Sequence, residues 1–107
     1  MSSIQLTNLG SSVSTPVVPL NPQCRKLTFH NPNTVSGVTI FLSVAPIAAA
    51  INAGLALLPG GTYDVYGDLA QAAWNAIAAS GGANGFTALI SNWPPSTYGT
   101  PLLVLGN

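Results

Sequence analysis

Charge is what this chain lacks most. Arg25, Lys26, Asp64 and Asp68 are the only charged side chains in 107 residues, 4% of the sequence, and the formal net charge is zero. An ordinary soluble domain carries about 25% charged residues. Scattered surface charge normally keeps a free monomer in solution, and neutrality promotes association. Such scarcity points to a surface built to be covered, by copies of the chain or by a partner.

The same scarcity removes most catalytic chemistry. With one His, one Cys and two carboxylates, a metal site would require His30, Cys24, Asp64 and Asp68 to converge almost without alternatives, so no metal and no other cofactor is expected. A Ser-His-Asp triad could draw only on His30, and no GxSxG elbow accompanies it; no catalytic residue is assigned. Gly60-Gly61 and Gly81-Gly82 fall in neither phosphate-binding pattern and read as turns. Two cations are too few for tight binding to nucleic acid through its phosphates.

Single Cys24 excludes an intrachain disulfide. It reads as a small core or near-surface residue, the alternative being a thiol activated by neighbouring Arg25 and Lys26. The longest apolar stretch, Val38 to Leu58, is interrupted by Ser43, Pro46, Asn52 and Gly54, whereas a membrane span needs about 20 predominantly apolar residues; no membrane partner is expected. The N-terminal residues have neither the basic nor the apolar region of a secretion signal, so synthesis in a cytoplasm without export is expected.

What remains is rich in β-branched residues and turn signals. Residues 1–22 read as an N-terminal arm or edge strand, because Pro16 breaks the run Val13 to Val18. Residues 23–107 read as one β-sandwich domain. Arg25 to His30 forms a strand with Leu27 and Phe29 on one face and Lys26, Thr28 and His30 on the other. Asn31-Pro32-Asn33 turns the chain, and Val38 to Val44 follows as a strand, which predicts an antiparallel hairpin. Leu55–Leu58 and Thr62–Tyr66 around Pro59-Gly60-Gly61 predict a second. Pro46 to Asn52 supports either one or two helical turns or a loop. Asp68 to Ala79 supports either a helix with Asp68 as N-cap or a strand over Ala73 to Ala79. Phe86 to Trp93 and Leu102 to Leu105 are the last strands. The expected fold is all-β: a small antiparallel β-sandwich, jelly-roll-like, of about seven or eight short strands with at most one short helix.

Six residues stand out as candidate partner contacts: Arg25, Lys26, Asp64, Asp68, Trp93 and Tyr98. Arg25 and Lys26 open a strand, and a subunit contact could pair them with Asp64 or Asp68, since each charge is a large share of any electrostatic specificity. Trp74 and Trp93 are core residues first, but Trp is also an interface anchor, and Trp93 beside Pro94-Pro95 could cover a rim. Tyr98 lies in a Pro/Gly/Thr loop and is expected to be exposed.

The order of several segments resembles a known family. Arg25-Lys26 opens a strand that runs into Phe29-His30-Asn31-Pro32, followed by VTIFLSV, LALLPGGTYDV, AWNAIAAS and FTALISNW, ending at Trp93. This is similar to small β-sandwich virion proteins of tailed bacteriophages, over about residues 24 to 93. The resemblance implies a strand at Ala73 to Ala79. It implies a structural, non-enzymatic role on the virion, most simply as a capsid decoration (cement) subunit bridging major capsid protein subunits, as a dimer or trimer on the capsid surface. The alternative it implies is a neck or tail accessory or fibre component that binds a host surface glycan. Asn92 stands where the family carries an acidic residue before the Trp, which leaves the partner open.

Overall fold

Period-two alternation, punctuated by Pro, Gly and Asn, makes strands of most of the chain. The computed structural model describes residues 2–82 and 84–93, and the expected terminal strand Leu102 to Leu105 lies outside them. Within them are eight strands and one helical turn: β1 (Ser2–Leu9), β2 (Thr15–Val18), β3 (Cys24–His30), β4 (Ile40–Val44), β5 (Leu55–Leu57), β6 (Thr62–Tyr66), α1 (Asp68–Gln71), β7 (Trp74–Ala78) and β8 (Asn84–Asn92). Two four-stranded sheets result, in the orders β1-β8-β3-β6 and β2-β7-β4-β5, with every pairing antiparallel. This is the strand order of an eight-stranded jelly roll. Among the described residues, the N-terminal segment expected to be an arm or edge strand supplies one edge strand to each sheet, β1 and β2. No helix among the described residues is long and apolar enough to cross a membrane.

Both expected hairpins are overturned. β3 pairs with β6 and β8 in one sheet, while β4 pairs with β5 and β7 in the other. The physical reason lies in Asn31, which is fully buried. Its Nδ2 donates to the carbonyls of Val38 and Leu57, each at 2.8 Å. Its Oδ1 accepts from the Asn33 backbone N–H at 3.0 Å and from Asn33 Nδ2 at 2.7 Å. Its own backbone binds the glycine turn: Gly60 N–H donates to Asn31 O at 2.7 Å and Asn31 N–H to Gly61 O at 3.0 Å. These two bonds prolong the β3–β6 ladder past His30↔Thr62. The strand that leaves the Pro59-Gly60-Gly61 turn is thereby drawn to β3 and away from β5. Asn33 continues the network, exchanging hydrogen bonds of 2.7 and 2.9 Å with the backbone of Gly85.

The segment from Asp68 to Ala79 divides between its two readings. A single turn of helix, α1, is followed by the strand β7. Gly67, with φ +59°, is the N-cap residue instead of Asp68, which lies in the first turn. There its carboxylate still suits the positive end of the peptide dipoles. Trp74 ends the helix by entering the core, and its indole Nε1–H donates to Leu69 O at 2.8 Å.

Residues 46–53 form turns and loop, with no helix. Ala49 is buried against Phe41 and Ile77 on the outer face of the second sheet. The Ala49 N–H donates to Ser14 Oγ at 2.8 Å, and Asn75 Nδ2 donates to Ile47 O at 2.9 Å. A flat loop can lay one small side chain on that patch and keep its backbone bonded; a helix there would lift it away. Gly54 follows with φ +76°, where a Cβ would stand 2.5 Å from the carbonyl oxygen of Leu42.

The core fills the space between the sheets, which pack about 10 Å apart. Phe29, Phe86, Leu27 and Ile40 are fully buried, as are Ala76, Ala78 and Ala88. Phe29 meets the edge of Trp74 at 5.0 Å between centroids and lies 6.1 Å from Phe86. Alanines on β7 and β8 leave room for these rings, so large and small side chains interdigitate.

Candidate functional site

The start of β3 breaks its own alternation. Counting back from buried Leu27, Arg25 should point into the core and Cys24 out. The reverse holds: Cys24 is buried and Arg25 exposed. The register slips between Cys24↔Asn92 and Lys26↔Ser91, so one extra residue is accommodated there. A bulge of this kind re-aims a side chain, and here it brings Arg25 and Lys26 together on the outer surface.

Each cation faces an aromatic ring. Trp93 is held beside β3 by its N–H donating to Gln23 O at 2.8 Å, and the Arg25 guanidinium carbon lies 5.8 Å from its ring centroid. Lys26 is directly opposite Tyr66 across the β3–β6 ladder, with Nζ 5.9 Å from that ring's centroid. Both distances suit cation–π attraction, worth about 0.5–1 kcal/mol at exposed sites. Asp64, one diagonal step away on β6, pairs with Lys26 at 3.8 Å and accepts the Thr28 hydroxyl at 2.6 Å. The Lys26–Asp64 side chains are 40% and 42% exposed, so water screens the pair and it adds little stability.

Arg25, Lys26, Tyr66, Gly67 and Trp93 wall an open hollow of about 500 Å³. Two of the chain's four charges thus meet two half-exposed aromatic rings in one place, with a third, Asp64, paired to Lys26 beside it. Trp93 is 55% exposed, which corrects its reading as a core residue first; Trp74 is the buried one. Asp68 lies on α1 just past Gly67 and takes no part in an ion pair among the described residues. Tyr98 lies outside the described residues. Tyr66 and Gly67 were missed. Tyr66 shares a face with Thr62 and Asp64 in the alternation of β6, but its place beside Lys26 depends on the β3–β6 pairing that the hairpin expectation excluded.

Cys24 is not activated by its basic neighbours. Burial pushes its thiol above the ordinary value, against smaller opposing effects of backbone hydrogen bonds at Lys26 and Ser91, and Sγ lies 3.3 Å from the Lys26 carbonyl it donates to. A buried neutral thiol is a poor nucleophile. Among the described residues no three of His, Cys, Asp and Glu come together as metal ligands.

A second hollow, of about 380 Å³, lies against β2 and the start of β7, walled by Pro16, Pro19, Ala45 and Trp74 among others. It carries no charged side chain. The first hollow is the better candidate for recognition, because its aromatic faces and fixed cations offer both contact area and direction.

No family model matches the chain, and no curated protein and no solved structure matches it.

Proposed function

We propose that this protein is a non-enzymatic structural component of a phage virion, a capsid decoration (cement) subunit that stabilises the head by bridging major capsid protein subunits. The observation that carries this reading is the hollow at Arg25, Lys26, Tyr66 and Trp93 on an otherwise almost uncharged surface. Trp, Tyr and Arg are the residues that dominate binding energy at protein interfaces. Val13, Leu20, Val35, Ile47 and Leu58 add apolar side chains that stand largely exposed. The ordered resemblance over residues 24 to 93 supplies the virion context.

The mechanism is non-covalent. A rigid sandwich seated at a junction between shell subunits buries its apolar rim and raises the energy needed to separate them. The aromatic–cation hollow provides register, since few other charges compete with it. Arg25→Ala and Trp93→Ala are each expected to weaken binding to particles stripped of this protein by about tenfold or more. Thermal unfolding should barely move, because both side chains are exposed. Unchanged particle binding by both variants would contradict the assignment of this surface.

A second reading is a neck or tail accessory or fibre component that binds a host surface glycan. It is favoured by Tyr66 and Trp93 lining one open hollow, because exposed rings are natural stacking platforms for sugar faces. In that case Tyr66→Ala and Trp93→Ala would lose glycan binding and leave particle association intact.

A further inference from the structure

Among the described residues the two sheets have four edges, and three of them are blunted against pairing with another chain. β5 has only three residues. β2 has four, with Pro16 inside it and a register slip between Pro16 and Val18. β6 has five, carries Asp64 and passes through Gly67 into α1. Short length, proline, bulges and charge are the devices by which sandwiches protect an open edge. β1 is the longest of the four, and its one irregularity, a register shift between Leu6 and Leu9, falls near its end. It is eight residues long, SSIQLTNL, with no charge and no proline, and its pairing with β8 runs unbroken from Ser2↔Ile90 to Leu6↔Phe86. Its outward backbone groups offer a template for another strand.

We infer that β1 is the dimerisation strand of this protein, pairing antiparallel with β1 of a second copy to make one continuous eight-stranded sheet. A second copy is the fitting occupant because the strand is complementary to itself. A two-fold axis at Gln5 sets Ile4 opposite Leu6 of the partner subunit and Ser3 opposite Thr7 of the partner subunit. Apolar residues then meet apolar ones on the inner face, and uncharged polar residues meet each other on the outer face. Ile4 and Leu6 pack against the core but are only partly buried, since among the described residues the sheet ends at β1; the partner's strand would complete their cover. No charge on β1 opposes the approach, so one interface satisfies the edge groups of both copies. This inference does not rest on the virion reading, because it concerns the free protein.

The test is sedimentation of the purified full chain over a range of concentrations, with two charge-reversed variants. One carries Ser3→Lys, Gln5→Lys and Thr7→Lys; the other carries Glu at the same three positions. All three side chains are exposed, so each variant should keep the wild-type circular dichroism spectrum. The wild type is expected to dimerise, each variant alone to sediment as a monomer, and an equimolar mixture to recover the dimer. A wild type that stays monomeric at the highest concentration would overturn the inference. So would a Lys variant that dimerises like the wild type, or a mixture that fails to pair. A monomer whose Lys variant no longer binds particles would assign the edge to a shell protein instead.

Discussion

Asn31→Ala is expected to destabilise the protein by about 3–5 kcal/mol, seen as a large fall in the urea midpoint with little change in slope. The size follows from what the side chain does. Its amide donates to the carbonyl of Val38, just before β4, and to that of Leu57 in β5, and its oxygen accepts two N–H groups of Asn33. Alanine would leave the Val38 and Leu57 carbonyls without this donor in a place where Asn31 itself is 0% exposed, and each orphaned buried group costs about 1–3 kcal/mol. A domain of this size has about 5–15 kcal/mol to lose. Asn31→Asp separates hydrogen bonding from packing. It keeps the volume and the accepting oxygen but turns a donor toward two carbonyls into a carboxylate, so it should be at least as damaging as alanine. A loss below about 1 kcal/mol for either variant would mean that the Asn31 network does not hold the sheets together.

Phe29→Ala is expected to cost about 3–5 kcal/mol by the same measurement. Phe29 is 0% exposed and sits between Trp74 and Phe86, so its removal opens a void lined by both rings. The surrounding alanines on β7 and β8 are too small to fill it. Phe29→Leu should cost less than half as much, because leucine refills most of the void, whereas a loss close to that of alanine would point to the aromatic contacts instead. A cost under about 1 kcal/mol for Phe29→Ala would place the core elsewhere.

Strands were legible in the sequence because alternation is a local property. Leu27 and Phe29 turn inward as expected, and the sandwich class follows from many short strands divided by Pro, Gly and Asn. Which strands pair was not legible. Asn31-Pro32-Asn33 and Pro59-Gly60-Gly61 are good hairpin signals taken singly. Their hydrogen bonds to each other, across 29 or 30 positions of sequence, send the flanking strands into opposite sheets. No local pattern encodes that exchange.

The candidate site was half legible for the same reason. Arg25, Lys26, Asp64 and Trp93 stood out by rarity, and the structure places all four around one hollow or next to it. The bulge that turns Arg25 outward leaves no trace in the residue pattern, since alternation from Leu27 would bury it. Tyr66 enters only through its cross-strand partner Lys26. Trp93 looked like core by size, but it follows the last residue of β8, where among the described residues it stands 55% exposed.

The central claim is the place of this protein on a viral shell, and cryo-electron microscopy of purified particles that contain it tests that claim most directly. The decoration reading predicts density for the jelly roll in many copies on the icosahedral shell, with the Arg25–Trp93 end seated against the major capsid protein. Density confined to the neck or tail, or no jelly-roll density on the particle at all, would contradict it.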